Sequence, residues 1–262
     1  MSATIDLNCD MGESFGAWSL GQDAEVMPWI TSASIACGFH AGDPEIMQRT
    51  VALARKHGVG IGAHVSLPDL AGFGRREMRV TAAEVHAFTL YQIGALSAFT
   101  RAMGTDLVHV KPHGALYNMA ARDEVLADAI ACAVRDFDAR LILIGLAASE
   151  LPRAGRRVGL RVAREAFADR RYASDGSLVS RSEKGAVIDK VDAAVAQAIA
   201  ICAEGSVITR GGSTLELDAD TLCVHGDRAD AALFAQRLRE ALTTARVAVA
   251  PLATHRLDSM DA

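Results

Sequence analysis

Thr4-Ile5-Asp6-Leu7-Asn8-Cys9-Asp10-Met11-Gly12-Glu13 is the stretch from which the fold is read. Side chains alternate across a strand, so Ile5, Leu7 and Cys9 share one face while Asp6, Asn8 and Asp10 share the other. The apolar face suits a core. The acidic and amide face is costly to bury unless its groups are paired or bind something. Similar apolar runs predict further strands at 34–39, 59–64, 107–112, 141–144, 159–163 and 222–225.

Helical signals fall between these strands. Asp43-Pro44-Glu45 reads as an N-cap with proline at the first helical position, opening a helix to about residue 57. Thr81 and Glu84 have capping-box spacing and open a helix to about residue 103. Gly58 and Gly104 stand where C-caps belong. Further helices are predicted over 123–137, 147–154, 189–203 and 228–244. Residues 207–210 and 214–217, joined by Gly211-Gly212-Ser213, read as a β-hairpin. Strand–helix alternation at this spacing predicts a parallel sheet with helices outside, as a barrel or an open doubly wound sheet. No linker or repeat interrupts the pattern, so residues 1–262 are expected to form one domain.

Composition removes several classes. With 50% hydrophobic and 23% charged residues, the chain is an ordinary globular sequence rather than a disordered one. A net charge of −5 offers no basic footprint for nucleic acid. No apolar run is long enough to span a membrane, and Met1–Glu13 has no signal-peptide pattern. The five cysteines are scattered without a C-x-x-C, so a reduced, cytoplasmic protein is expected. Neither GxGxxG nor GxxxxGK[ST] is present, so the chain carries no recognised nucleotide loop.

The polar residues gather at equivalent places. His40, His64, His113 and His225 end four strands at their C-terminal ends, where parallel α/β architectures build their sites. A single histidine there is ordinarily a core group bonded to a carbonyl. Four of them, with Asp6, Asp10 and Asp227, indicate an active site. Such a set suits general acid–base work on a polar small molecule, or a divalent metal with mixed nitrogen and oxygen ligands. Lys111 suits an oxyanion or phosphate, against the plainer reading of an ion pair with Asp6 or Glu165. Arg75 and Arg76, in a glycine-hinged loop, match a carboxylate bidentately, against a plain surface salt bridge. Cys9, Cys37 and Cys223 read as buried thiols rather than nucleophiles.

Several long blocks resemble the LamB/YcsF lactam-utilisation family. They are Ile5–Gly16, Ser34–Pro44, Gly62-Ala63-His64 with Gly72–Arg76, Val110–Asn118, Glu165–Tyr172, Asp175–Arg181 and Cys223–Asp227. The resemblance implies a distorted, seven-stranded β/α barrel like that of the sugar deacetylase superfamily. It implies ATP-dependent opening of the lactam of 5-oxo-L-proline to L-glutamate, with 5-oxoprolinase subunits B and C as partners. ATP would bind on this chain or at a site shared with those partners, and a homo-oligomer is compatible. On this reading Asp10, His40, His64, Lys111 and His113 form the catalytic set. Asp6, Asn8, Glu13, Arg75, Arg76, Asn118, Glu165, His225 and Asp227 contact substrate, and Asp10, His40 and His64 would hold a metal. Where the family reads Ala-His-Pro-Ser-Tyr-Pro-Asp, this chain has Ala63-His64-Val65-Ser66-Leu67-Pro68-Asp69, which is expected to alter the loop's substrate contacts. Ser34 and Ser180 replace a common Asn and Pro. Two other readings stand beside this one: a metal-dependent amidase or deacetylase acting alone, and a non-catalytic binding subunit.

Overall fold

Strand β1 (Thr4–Met11) hydrogen-bonds in parallel to β2 (Ser32–Ala36) on one side and to the late strand β9 (Thr221–Val224) on the other, and this double pairing closes the sheet. The computed structural model describes residues 3–181, 183–224, 226, 230–255 and 257. After β1, the short α1 (Asp23–Val26) leads to β2, then α2 (Pro44–His57) and β3 (Gly60–Val65). Helix α3 (Ala82–Ala102) leads to β4 (Leu107–Pro112), followed by α4 (Gly114–Ala120), α5 (Glu124–Phe137) and β5 (Ile142–Leu146). Helix α6 (Glu150–Arg157) leads to β6 (Arg161–Phe167), then α7 (Val191–Ile199). A hairpin of β7 (Ser206–Ile208) and β8 (Thr214–Glu216) precedes β9, α8 (Ala231–Thr244) and β10 (Ala248–Val249).

The order β1-β2-β3-β4-β5-β6-β9, closed by β1–β9 pairing, makes a seven-stranded parallel barrel, with β10 flanking β1. Of the two architectures open to the strand pattern, the barrel is the one formed. The local signals act as expected. Asp43 accepts hydrogen bonds from the Glu45 and Ile46 amides, and Thr81 and Glu84 complete their capping box. Gly58 closes α2 in the left-handed region, φ 67°.

Three boundaries differ instructively. Strand β2 starts at Ser32 and ends at Ala36, because the chain turns through Gly38 to Gly42 before α2. Strand β6 runs to Phe167, beyond the expected end at 163, and carries buried Glu165 into the barrel. Helix α4, which the sequence reading did not place, starts immediately after His113.

Leu7, Ile35, Ala63, Val110, Leu143 and Val162 point outward and pack beneath the helices in the main core. Burying apolar surface of this kind is the main favourable term in folding. The inner side is different. Ile142, Ile144 and Ala163 form a small separate cluster with Leu252, and most of the remaining interior is polar.

Candidate active site

The polar interior is layered. At the bottom, Asp6 is wholly buried and accepts from Thr31 Oγ1 and Ser32 Oγ, each at 2.7 Å, and from Thr221 Oγ1 at 2.5 Å. Burial raises its carboxyl above the ordinary range, against the pull of these three hydroxyls. One layer up, Asn8 Nδ2 donates to Thr221 Oγ1 and to Glu165 Oε1 at 3.0 Å. Tyr117 donates its hydroxyl to Glu165 Oε2 at 2.6 Å. His109 occupies the space left by Gly62, where any Cβ would collide with the imidazole ring. Burial drives the His109 pKa down to about 3.

Lys111 rises from this floor. Its Nζ lies 2.7 Å from Glu165 Oε1, 2.9 Å from Asp10 Oδ1, 3.0 Å from Asn8 Oδ1 and 3.3 Å from Cys223 Sγ. Burial opposes its charge, but Asp10 and Glu165 outweigh that and hold the ammonium well above its usual range. Burial likewise opposes ionisation of Asp10, and His64 and Lys111 together overcome it, holding the carboxyl well below its usual range. Asp10 and Lys111 therefore stand as a charged pair at the base of a cavity of about 750 Å³.

Above Asp10 the histidines converge. His64 Nδ1 lies 3.0 Å from the Lys111 carbonyl. A carbonyl only accepts, so this nitrogen carries the hydrogen, and Nε2 faces Asp10 Oδ2 at 3.2 Å. His113 Nε2 lies 2.9 Å from the Phe73 carbonyl, which makes Nδ1 its acceptor. His113 Nδ1 and His64 Nε2 are 2.9 Å apart. Lone pairs at that separation repel unless a proton or a cation sits beside them. The His40 ring stacks on His113 with centroids 3.9 Å apart. Neither ring nitrogen of buried His40 makes a hydrogen bond among the described residues, and Nε2 lies 3.3 Å from Glu13 Oε1. Burial lowers His40 and His113 well below the usual imidazole range, with neighbouring histidines adding to the effect. Three imidazoles converging beside a carboxylate match the donor set of a divalent transition metal.

One potential ligand atom each from Glu13, His40, His64 and His113 lies within 4.8 Å of the others. This grouping differs from the expected set of Asp10, His40 and His64. Glu13 and His113 belong to it, while Asp10 is engaged by Lys111 and meets the cluster through His64 Nε2 at 3.2 Å. Loop geometry produces the convergence. Gly12, at φ 66°, turns the chain after β1 and brings Glu13 over the barrel mouth. Gly74, at φ 62°, lies so close to His40 and His113 that a Cβ would sit 2.9 Å from either. Its carbonyl accepts from the Ala115 amide at 2.8 Å, pinning the loop after β3 to the start of α4.

The remaining expected residues separate. Arg75 and Asn118 line the cavity. Arg76 does not. It turns away to form an ion pair with Asp69, with Nε 3.0 Å from Oδ1, so the plain salt bridge is its reading. Asp6, Asn8 and Glu165 are buried below the cavity and absent from its lining; Asn8 and Glu165 hold Lys111, while Asp6 is held by Thr31, Ser32 and Thr221. His225 and Asp227 lie outside the described residues. Val65 and Leu67 are fully buried in the main core and line no part of the cavity, so their departures from the family pattern act through packing. Cys9, Cys37 and Cys223 are buried, and burial raises all three thiols, Cys37 to about 12. Thiolates are therefore disfavoured here. Sequence reasoning missed Tyr117, Phe167, Arg170 and Arg181, which also line the cavity. The signal available was the polar block after β6, whose two arginines follow an apparent strand end.

Fold and site together define a parallel β/α-barrel protein with an ion-paired, cation-ready centre at the C-terminal ends of its strands, the place where barrel enzymes work. The LamB/YcsF family model matches residues 5–257, and the chain belongs to that family. It is 55% identical over 252 residues to a protein of Bacillus subtilis named as the A subunit of 5-oxoprolinase, covering 96% of this chain and 98% of that one. A protein of the same name from Tolumonas auensis is 55% identical over 247 residues, covering 94% of this chain and 98% of that one. The crystal structure of a lactam utilization protein from Thermus thermophilus superposes with a TM-score of 0.90 at 47% identity, covering 95% of this chain and all of that one. A peptidoglycan N-acetylglucosamine deacetylase domain from Eubacterium rectale shares the fold alone, with a TM-score of 0.52 at 10% identity and coverage of 99% and 95%. Among the described residues, no helix is long and apolar enough to cross a membrane.

Proposed function

We propose that this chain is the lactam-handling subunit of an ATP-dependent 5-oxoprolinase, opening 5-oxo-L-proline to L-glutamate together with partner subunits B and C. The observation that carries the reading is the Asp10–Lys111 pair at the base of the cavity beside the Glu13, His40, His64 and His113 cluster. The full-length likeness to proteins named as the A subunit of 5-oxoprolinase supplies the substrate.

A lactam is a stabilised amide. In the proposed course its oxygen takes the γ-phosphoryl group of ATP and releases ADP. Water then adds to the activated carbon, the ring carbon–nitrogen bond breaks, the nitrogen takes up a proton, and a second water displaces phosphate. Lys111 faces the charge on the amide oxygen, as a preorganised donor in a dry site. Asp10 accepts the proton of the attacking water and passes it to the leaving nitrogen. Glu13, His40, His64 and His113 would hold a divalent metal, which when bound supplies Lewis-acid polarisation of the carbonyl. Arg75 and Asn118, on the cavity wall, orient the ring. Asn8, Glu165 and Tyr117 keep Lys111 aimed upward. ATP approaches at a site shared with the partners.

The test is glutamate release from 5-oxo-L-proline by this chain mixed with its partner subunits, with and without ATP. Release that requires both ATP and partners is expected. The Glu13, His40, His64 and His113 cluster favours a second reading, a metal-dependent amidase acting alone, and turnover without ATP or partners would establish that one instead. Partner-dependent activity that survives both Asp10→Asn and Lys111→Ala would mark a non-catalytic binding subunit.

A further inference from the structure

We propose that Arg170, seconded by Arg181, forms an anion subsite on the wall of the cavity and takes the carboxylate of the lactam substrate, making it the position that selects 5-oxoproline over uncharged lactams. The inference rests on the reading of the substrate given above.

Arg170 follows β6, in the segment joining it to α7. It is 7% exposed, yet it borders the same cavity as Asp10, His64, Lys111 and His113. One arm of its guanidinium is used: Nη2 donates to the Val179 carbonyl at 2.6 Å. Nε is buried and makes no hydrogen bond among the described residues. A buried cationic N–H without an acceptor is costly, and such groups are normally satisfied. Arg181 lines the same wall. Burial first, and Arg181 second, push the Arg170 pKa down to about 10, against the pull of the buried Asp169 carboxylate. Both guanidiniums border the cavity, so a ligand carboxylate there meets two positive charges.

The arm is also held rigidly. Gln197 Nε2 donates across the carbonyls of Phe167, Ala168 and Arg170 at 2.9 to 3.0 Å, fixing the backbone beneath the guanidinium. Arg170 and Val187 form an antiparallel bridge that ties the segment to its own return. A preorganised fork of this kind suits a planar carboxylate better than a mobile surface arginine does. The alternatives are weaker. Arg76 is spent on Asp69, and Arg75, which also reaches the cavity, stacks on Phe73 with Cζ 4.9 Å from the ring centroid.

The experiment compares wild type, Arg170→Gln and Arg170→Lys in the assembled complex. Substrates are 5-oxo-L-proline and 2-pyrrolidinone, which is the same ring without the carboxylate. Calorimetric titration of each compound into this chain alone provides a second readout, and a melting curve reports folding of each variant. Arg170→Gln should raise KM for 5-oxo-L-proline by about ten- to a hundredfold with a much smaller change in kcat, as expected for loss of a charge-assisted pair. KM for 2-pyrrolidinone and for ATP should stay level, and Arg170→Lys should recover part of the loss. A rise in KM for ATP with the lactam KM unchanged would overturn the carboxylate assignment in favour of a phosphoryl group. Equal binding of 5-oxo-L-proline and 2-pyrrolidinone by wild type would overturn it whatever the variants do, as would no binding of either. If wild type binds 5-oxo-L-proline selectively but the complex does not open it, the reaction is wrong and the subsite stands.

Discussion

Asp6 and Asp10 stand on one face of the same strand, yet they meet opposite fates. Asp6 lies in a closed layer where Thr31, Ser32 and Thr221 satisfy it, and it does not line the cavity above. Asp10, four residues later, opens onto the cavity and shares its two oxygens between Lys111 and His64. The lower layer is a finished polar core. In the upper layer the His64 and His113 rings meet at 2.9 Å, and among the described residues both ring nitrogens of His40 lack hydrogen bonds. A buried polar group thus signals function by what it leaves unsatisfied more than by its presence.

Breaking Lys111 should have the largest effect, because it joins the two layers. Lys111→Ala leaves Glu165 buried without its cation, and about 3–5 kcal/mol of stability should be lost. Turnover of the assembled complex should fall by about 10²–10³, beyond what the melting curve explains. Asp10→Asn should then separate the layers. It preserves shape but removes one of the two buried carboxylates that hold Lys111, so about 1–3 kcal/mol of stability should be lost, less than for Lys111→Ala, while kcat falls about 10²–10⁴. Normal turnover in this variant would remove the proposed base.

Asp6→Ala should show the reverse pattern. It strands three hydroxyls and should cost about 1–3 kcal/mol with kcat nearly intact. Because burial raises the Asp6 carboxyl, its contribution is whole below the ordinary value of 3.8 and is lost as pH rises through the raised one. The gap in melting temperature between wild type and Asp6→Ala should therefore narrow as pH rises, and a widening gap would contradict the burial argument.

His113→Ala tests the upper layer alone. Metal bound after loading and dialysis, read by elemental analysis, should drop by at least about tenfold. The corresponding Asp10→Asn protein should retain metal, since Asp10 is outside the cluster. The smallest effect belongs to Arg76→Ala. Its guanidinium is exposed and committed to Asp69, so KM for 5-oxo-L-proline should move by less than about twofold.

Much of the frame was legible residue by residue. The caps at Asp43 and Thr81 were readable because each bonds to amides within three residues. The alternating faces of β1 and β4 were readable because strand periodicity is local. The end of β6 was not. Arg164 and Glu165 look like a loop until Glu165 meets Asn8, Lys111 and Tyr117, the nearest of them 48 residues away. The metal set was half legible. His40 and His64 announced themselves at strand ends, but Glu13 joins them only because Gly12 redirects the chain, and His113 only because Gly74 allows close approach. Choosing Arg75 over Arg76 required seeing Asp69 take one of them.

The sequence by itself determined the alternation of strands and helices, the polar inner faces and the histidines at strand ends. These follow from propensity, capping and periodicity, which act over a few residues. Only the tertiary structure decided that the sheet closes through β1 and β9, that Asp6 is silent while Asp10 is exposed to the cavity, and that Arg170 keeps a buried donor in reserve. Those outcomes depend on distances across the barrel. A through-space contact is set by closure of the whole sheet, and no local pattern encodes it.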